Sequence, residues 1–257
     1  MNVVTICDTN PEWTDFHLLR FIRLARRAMP NATFHALIVG TRPPAAQIKR
    51  HPALGRFDVV KFVKPREQVG YMYYNELRYG LLKRFGLDEC LYVDPDVDIF
   101  ADMWAGDAIH QPIDAQPEPL LWVRSPIEPD GFGGLMAKLG LDGRLPCFCN
   151  SGMLYLRRDF LKEYRAAAAE CERAQFNPRM IGNAAFNVML RRMDSGEHAE
   201  SPYYNDVLWH ERDNPIVLIR QNGRDLPAYH FARAVHYCND HGKQRRHEVD
   251  ADWIYCD

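Results

Sequence analysis

The sequence lacks long apolar runs. No apolar stretch approaches the roughly 18 consecutive residues that a membrane-spanning helix needs. The opening residues, MNVVTICDTN, carry neither the basic segment nor the long apolar segment of a signal peptide. The sequence therefore predicts no membrane span and a cytoplasmic location. It also has no surplus of one charge: 32 Lys and Arg stand against 34 Asp and Glu. This balance gives no electrostatic reason to expect nucleic acid as a partner.

Recognisable cysteine and nucleotide-binding patterns are absent too. The seven cysteines include no C-x-x-C pair, and the closest two are Cys147 and Cys149. We interpret them as reduced thiols, which are typical of the cytosol. The sequence contains no G-x-G-x-x-G, no P-loop and no Ser-His-Asp signature. These absences argue against dinucleotide binding, P-loop hydrolysis and serine hydrolase chemistry.

What is present is an ordinary globular composition of 47% apolar and 26% charged residues over 257 residues. In the first hundred residues, short apolar runs alternate with segments of helical periodicity. The predicted strands are 3–7, 34–39, 59–63 and 90–93, and the predicted helices are 11–29, 44–50 and 67–85. Such alternation predicts an α/β fold in which helices flank a mostly parallel sheet.

The second half of the sequence is less regular. The predicted strands are 120–123, 149–156, 216–219 and 228–237, and the predicted helices are 159–175 and 182–193. Residues 126–146 contain Gly131-Phe132-Gly133-Gly134 and have the composition of a mobile loop. No repeat or linker is visible. We therefore predict a single domain over 1–257, with a regular half (1–100) and a more elaborated half (101–257).

Three aspartates follow the fourth predicted strand, in the segment Asp94-Pro95-Asp96-Val97-Asp98. Ligands of open α/β sheets bind beyond the carboxyl ends of strands. Two carboxylates this close repel each other unless a cation neutralises them, and Mg²⁺ or Mn²⁺ prefers carboxylate oxygen. Asp94 and Asp96 are therefore candidate metal ligands for a site that binds a diphosphate. Asp98 could be a third ligand, but it is rather expected to face away or to support the other two.

Other interpretations of this acidic segment remain. A solvated turn after a strand needs no ligand at all. An EF-hand loop would need Gly and Glu where Ile99 and Ala105 stand, which excludes it. A phosphohydrolase of the haloacid dehalogenase type also has a D-x-D after a strand. That motif usually has Thr or Val where Asp98 stands and lies nearer the N-terminus.

Four segments occur in the order in which glycosyltransferase family 8 has them. They are Val3–Asp8 (VVTICD), Leu91–Val97 (LYVDPDV), Phe148–Leu154 (FCNSGML) and Val235–Cys238 (VHYC) with Lys243 further on. Over nearly its whole length, the chain resembles this family of glycogenin-like and lipopolysaccharide galactosyltransferase-like enzymes. The resemblance implies a GT-A fold, which is a Rossmann-like, mixed but mostly parallel sheet flanked by helices. It also implies that the half 1–100 binds the nucleotide and that the half 101–257 binds the acceptor and the donor sugar.

The resemblance also implies site residues. Asp94, Asp96 and His236 would hold Mn²⁺ or Mg²⁺. The implied contacts with the donor are Thr5 and Asp8 to the nucleotide base, Asn150, Ser151 and Gly152 to the sugar, and Lys243 to the diphosphate. Two of these residues also have ordinary structural interpretations. A histidine in an apolar strand is often a core residue, and Lys243 belongs to a polar run, 241–247, of the kind that usually forms a solvated loop.

The chain departs from the family in the predicted helix 182–193. The family's D-Q-D-x-x-N segment becomes Gly182-Asn183-Ala184-Ala185-Phe186-Asn187, so both acids are missing. Asn183 stands where the family has the glutamine, close to the reacting sugar carbon, and becomes the candidate catalytic residue. It could also be the N-cap of this helix. An arginine that the family has in the helix before the D-x-D strand falls near Glu76 to Arg78.

The resulting hypothesis is a metal-dependent glycosyltransferase that moves a hexosyl unit from a UDP-linked sugar, with retention implied by the resemblance. The acceptor would be a saccharide, a lipid-linked glycan or a protein. Residues 126–146 would close over the donor. The alternatives are a catalytically silent nucleotide-sugar-binding protein, motivated by Gly182 and Ala184, and a metal-dependent phosphohydrolase that uses Asp94 and Asp96.

Overall fold

Strands and helices alternate along the chain much as the sequence pattern predicts. A computed structural model describes residues 1–65, 71–99, 123–125, 131–141, 148–150, 152–192, 218–221, 224–227, 234–236 and 246–247. Its strands are β1 (Asn2–Asp8), β2 (Thr33–Val39), β3 (Val59–Val63), β4 (Glu89–Val93), β5 (Val97–Ile99), β6 (Val123–Ser125), β7 (Phe148–Asn150), β8 (Met153–Arg157), β9 (Leu218–Gln221), β10 (Arg224–Pro227) and β11 (Ala234–His236).

The helices lie between these strands. They are α1 (Leu19–Ala28), α2 (Ala45–Arg50), α3 (Tyr71–Tyr79), α4 (Leu81–Phe85), α5 (Phe132–Lys138), α6 (Arg158–Arg173) and α7 (Ile181–Arg192). A π-helical segment, Glu12–Leu18, leads directly into α1. Among the described helices, none combines the length and the apolar composition that crossing a bilayer requires.

A five-stranded sheet with the order β3-β2-β1-β4-β8 forms the centre of the molecule. The first four of these strands are parallel, and β8 runs antiparallel along β4. After β1 the chain adds β2 and β3 on one side and then places β4 on the other side of β1. The strand order therefore reverses between β1 and β4, which is where open α/β sheets bind ligands. The predicted α/β class, with helices around a mostly parallel sheet, is confirmed.

Each face of the sheet buries its own core. Because side chains alternate along a strand, Val3 and Cys7 of β1 pack in the core on the α1 side. Val4 and Ile6 pack on the opposite side, in the core that contains residues of α3, α5, α6 and α7. Helices on both faces explain why the strands appear in the sequence as continuous apolar runs rather than as alternating ones.

The prediction of a loop over residues 126–146 is wrong for its central part, which forms α5. Gly131 precedes this helix with φ 79°, a left-handed conformation that glycine adopts without steric penalty. Phe132, Leu135 and Met136 recur at helical spacing and are buried in the core. The glycine-rich composition conceals this spacing. Residues 126–130 and 142–146 lie outside the described residues, and α5 could join a closing lid only by exposing these apolar side chains.

Two further boundaries differ from the prediction. The helix expected over 67–85 divides at Gly80 into α3 and α4, and its first residues, 67–70, lie outside the described residues. β5 and β10 are not predicted by the sequence pattern, whereas β9 overlaps the predicted strand 216–219. Strands of three or four residues are too short to show a period, so the hydrophobic pattern does not reveal them.

Candidate active site

The parallel strands β1 and β4 bring Asp8 and Asp94 to the same edge of the sheet. Asp8 is the last residue of β1, and Asp94 directly follows β4. The Asn10 backbone N–H donates to Oδ1 of Asp8 at 2.9 Å, and the Tyr74 hydroxyl donates to its Oδ2 at 3.4 Å. The acid predicted to contact the nucleotide base is thus half-buried and oriented through both oxygens.

Asp94 is oriented by two side chains at one of its oxygens. The Tyr92 hydroxyl donates to Oδ1, and Nη2 of Arg78 lies 3.5 Å from the same atom. The Asp94 backbone N–H donates to the Gly152 carbonyl at 2.7 Å, which fixes the start of the acidic turn. The Asp94 side chain remains 26% exposed. Its carboxylate is therefore held in one orientation and is still accessible from solvent.

Arg78 keeps a permanent positive charge beside Asp94. Burial acts to lower the pKa of its guanidinium, but Tyr92, Tyr164 and Asp94 outweigh this effect and raise the pKa well above its usual value. The guanidinium lies 4.4 Å from the centroid of the Tyr92 ring. Burial also raises the pKa of Tyr92; Arg78 opposes this rise and Asp94 adds to it. Tyr92 therefore stays a phenol and can donate to the carboxylate.

A tight turn leads from Asp94 to Asp96 and places a distant strand beside them. The Val97 N–H donates to the Asp94 carbonyl at 3.1 Å, and Asp96 is 6% exposed. β5 follows and pairs antiparallel with β11 in a register that opposes Val97 to His236. The backbone of His236 therefore lies beside the D-x-D segment, whereas its side chain lies outside what the structure describes.

The chemistry of this donor set fits a divalent cation. Asp94 and Asp96 supply hard carboxylate oxygens within one turn of chain, at the sheet edge where ligands bind. An imidazole from the neighbouring strand would complete the predicted set with His236, and a set of two oxygens and one nitrogen suits Mn²⁺. This ligand set remains a prediction.

Asp98 has quite different surroundings. Its side chain is completely buried, and Arg20 approaches Oδ2 through Nε and Nη2, at 2.9 and 2.7 Å. Arg246 donates to Oδ1 from Nε and Nη2, at 3.1 and 2.5 Å. Burial acts to raise the pKa of Asp98, but the two guanidiniums outweigh it and lower the pKa overall. Both oxygens of Asp98 are thus engaged by buried arginines, which argues against a role as a third metal ligand, and these two partners are not predicted by the sequence.

Arg246 connects the C-terminal part of the chain to the acidic turn. Its Nη1 donates to the Pro95 carbonyl and to Nδ1 of His17, both at 2.8 Å. Its own carbonyl accepts a hydrogen bond from Nη1 of Arg20 at 2.8 Å. The interpretation of residues 241–247 as a solvated loop is therefore wrong for Arg246, which is completely buried. Because Pro95 lies between Asp94 and Asp96, Arg246 also fixes the backbone that presents both carboxylates.

A second group of potential metal ligands lies near Arg246. Glu12, His17 and His247 bring their ligand atoms within 4.8 Å of one another. An arginine can only donate, so Nδ1 of His17 must accept from Arg246, and Nε2 then carries the ring proton. His17 has no lone pair left for a cation in this state, and the nearby guanidinium repels one. This group therefore does not form a metal site.

The helix α3 contacts three parts of the site, and the sequence pattern predicts for it only an apolar stripe. Tyr74 reaches Asp8, and Arg78 reaches Asp94. Between them, Asn75 packs against Gly182 at the start of α7. Residues three or four positions apart share a face of a helix. The spacing of Tyr74, Asn75 and Arg78 is therefore the feature of the sequence that could have indicated a polar face on α3. Arg78 lies within the range that the family resemblance indicated for an arginine.

The start of α7 holds the candidate catalytic residue. α7 begins at Ile181, so Asn183 lies inside the first turn, and its interpretation as the N-cap is wrong. Asn183 is half-buried, and its carbonyl accepts a hydrogen bond from the Asn187 side-chain amide at 2.7 Å. The Tyr164 hydroxyl donates to the Gly182 carbonyl at 2.9 Å, and Nη1 of Arg78 lies 3.4 Å from that hydroxyl. The start of α7 is thus linked to the arginine that orients Asp94.

The remaining predicted contacts of the donor are only partly described. Thr5 is completely buried within β1, and no described residue hydrogen-bonds to its hydroxyl. Contact between Thr5 and a nucleotide base would therefore require its neighbours to move. Asn150 ends β7, opposite Val123 of β6, and Gly152 accepts the backbone hydrogen bond from Asp94. Ser151 and Lys243 lie outside the described residues.

The strand order, the helices on both faces and the acidic turn at the switch point define a GT-A fold. No protein-family model matches the sequence, and no curated protein sequence is similar to it. The chain is similar to the solved structure of LgtC, a family 8 galactosyltransferase in complex with donor and acceptor sugar analogues. The TM-score is 0.52 at 16% identity, over 98% of this chain and 99% of that one. A structure of an active-site mutant of LgtC matches with a TM-score of 0.48 over the same shares. The predicted GT-A fold is thus confirmed.

Proposed function

We propose that the protein is a metal-dependent glycosyltransferase that takes a hexosyl unit from a UDP-linked sugar. One observation carries the proposal: Asp94 and Asp96 follow β4 at the switch point of a GT-A sheet. There they lie beside β1, whose last residue, Asp8, is the proposed contact for the nucleotide base. The acceptor would be a saccharide, a lipid-linked glycan or a protein.

The metal would be Mn²⁺ or Mg²⁺, held by Asp94, Asp96 and His236. When bound, it supplies positive charge that stabilises the departing diphosphate. Tyr92 and Arg78 prepare the site, because both engage Oδ1 of Asp94 and so fix the direction of the carboxylate before any ligand binds. Such preorganisation avoids the cost of ordering the side chain during binding.

The donor would extend from Asp8 past the acidic turn towards α7. Asn150, Ser151 and Gly152 would contact the sugar, and Lys243 the diphosphate. Asn183, half-buried in the first turn of α7, is the proposed catalytic residue at the reacting sugar carbon. Retention of the anomeric configuration is part of the same proposal.

Thermal unfolding with and without Mn²⁺ tests the proposal directly. UDP at about one hundred times its Kd stabilises the folded state by about 2.7 kcal/mol, which raises the Tm of a chain of this size by roughly 5 °C or more. We expect this rise only when Mn²⁺ and UDP are both present. Asp96→Asn should abolish it, whereas Asp88→Asn, at an exposed aspartate away from the site, should retain it. Calorimetry that detects no metal-dependent binding of UDP would end the proposal.

A catalytically silent nucleotide-sugar-binding protein is a second candidate, and the start of α7 favours it. The two acids expected there are missing. Asn75 fills the space beside Gly182, and Ala184 is completely buried. An assay for UDP release from several UDP-sugars separates the two candidates. Metal-dependent binding without any release, with or without sugar acceptors, would favour the silent protein.

A further inference from the structure

Asn75 occupies the place that a side chain at position 182 would need. A Cβ atom built on Gly182 would overlap Oδ1 of Asn75 and would lie 2.9 Å from its Cγ and Nδ2 atoms. Real Cβ atoms do not approach other heavy atoms this closely. A side chain at position 182 therefore requires the Asn75 amide to move, and residue 182 can be only glycine while that amide keeps its place.

The backbone at Gly182 is not free to move away from this contact. The Tyr164 hydroxyl holds the Gly182 carbonyl at 2.9 Å, and Arg78 in turn contacts Tyr164. Gly182 is also buried, in the first turn of a helix of 12 residues. The helix α3 thus places the Asn75 amide beside Gly182 at this end of α7.

The Asn75 amide has unused hydrogen-bonding capacity. Asn75 is 7% exposed, and no described residue hydrogen-bonds to its side chain. A carboxamide offers two N–H donors and an acceptor oxygen, and a buried polar group without partners is unfavourable. An unpaired amide that points at the amino-terminal end of a helix is therefore suited to a ligand with hydroxyl groups.

The position of Asn75 on α3 indicates which part of a ligand it would meet. It lies next to Tyr74, which contacts Asp8, and three residues before Arg78, which contacts Asp94. In the proposed function, the base lies at Asp8 and the diphosphate at Asp94. The Asn75 amide faces neither the base nor the diphosphate. It faces the start of α7, where the sugar would lie.

We propose that Asn75 determines donor specificity by hydrogen bonding to a hydroxyl group of the donor sugar. The Asn75 amide would do this from the space that a side chain at position 182 would otherwise fill. This inference rests on the proposed function. The amide is neutral, so it provides the polar contact without adding a negative charge near Asp94, Asp96 and a diphosphate. A carboxylate at position 182 would add such a charge.

Binding of UDP and of UDP-sugars in the presence of Mn²⁺ tests the role of Asn75. Calorimetry of the full chain with UDP, UDP-glucose and UDP-galactose gives the gain in affinity that each sugar adds over UDP alone. We expect Asn75→Ala to reduce this gain by roughly fivefold to tenfold for the preferred sugar, which corresponds to one lost hydrogen bond. The affinity for UDP should stay the same. Asn31→Ala is the matched control, an exposed asparagine at the amino-terminal edge of the sheet.

Asn75→Leu provides a second variant if Asn75→Ala does not fold, because it keeps the branched shape of the side chain and removes both the N–H donors and the acceptor oxygen. It should also reduce the gain. If UDP-sugars bind but both variants keep the wild-type gain, the inference is wrong and the proposed function stands. If the wild type binds neither UDP nor UDP-sugars, the proposed function fails and this inference fails with it.

The contact itself has a separate measurement that needs no ligand. Gly182→Ala should lower the Tm, and Asn75→Ala combined with Gly182→Ala should recover most of the loss, because the smaller side chain makes room for the new Cβ. Additive losses in the double variant would contradict the exclusion between positions 75 and 182, and with it the proposal.

Discussion

Asp94 and Asp98 stand four residues apart in the sequence and have opposite surroundings. Asp98 is completely buried between two guanidiniums, one from α1 and one from residue 246. Asp94 is 26% exposed, and one guanidinium orients it at 3.5 Å. The comparison shows that the same residue type serves two purposes within one short acidic segment, since Asp94 directly follows β4 and Asp98 lies inside β5. The buried Asp98 joins distant segments of the chain, whereas the partly exposed Asp94 is positioned for a ligand.

The difference has a physical cause in the partners that each acid finds. A buried carboxylate must be paired and hydrogen-bonded, because removing a charge from water costs several kcal/mol. Asp98 meets this requirement with contacts to both oxygens. Asp94 keeps part of its contact with solvent, so it can accept a cation without first losing a complete set of protein partners. The two acids should therefore respond differently to substitution.

The largest expected effect is at Asp98. Asp98→Ala leaves Arg20 and Arg246 buried without their counter-ion, and breaking a buried ion pair in this way costs about 3–5 kcal/mol. Chemical denaturation followed by circular dichroism measures the loss. Asp88→Ala is the matched control, because Asp88 is 89% exposed and its partner Arg158 is 70% exposed. That change should stay within about 0.5 kcal/mol. Equal losses at the two positions would contradict the structural role of Asp98.

The inner strands of the central sheet could be predicted from the sequence because they are buried on both faces. Continuous apolar runs such as 3–7 and 34–39 therefore mark strands almost to the residue. The position of Asp94 and Asp96 followed from the same pattern, since a ligand site lies at the carboxyl end of such a strand. The glycines at the start of α5 are typical of a loop, and this composition conceals the helical spacing of Phe132, Leu135 and Met136.

The partners of the site residues could not be predicted in the same way. Arg20 and Arg246 meet around Asp98, although they are 226 residues apart in sequence. A pattern that assigns arginines to the surface gives no reason to place either one in the core. Asn75 and Gly182 are likewise related only through the packing of α3 on α7. Contacts of this kind depend on tertiary structure, so the periodicity of apolar residues along the sequence does not predict them.

A smaller effect is expected at Arg78, whose guanidinium orients Asp94. Arg78→Met removes contacts with Tyr92, Tyr164 and Asp94, and hydrogen bonds to charged groups contribute about 1.5–3 kcal/mol. The loss should be below that at Asp98, because Tyr92 still donates to Asp94 and Tyr164 still donates to Gly182. Denaturation curves check this order.

Arg84→Ala is the control for Arg78, since this arginine is exposed on the next helix, α4. We expect a change within about 0.5 kcal/mol there. A loss of unfolding free energy at Arg78 as large as that at Asp98 would show that Arg78 is mainly a structural residue. The contrast between the surroundings of Asp94 and those of Asp98 would then disappear.

The smallest effect on stability is expected at Asp94 itself, where the effect on binding should be complete. Asp94→Asn keeps the shape of the side chain and removes its charge beside Asp96, which relieves repulsion between two carboxylates. The free energy of unfolding without metal should therefore change by less than about 1 kcal/mol, in either direction, while the rise in Tm with Mn²⁺ and UDP should vanish. If Asp94→Asn instead destabilised the metal-free protein as strongly as Asp98→Ala, the carboxylate would be a structural partner of Arg78, and its accessibility would have no bearing on a ligand.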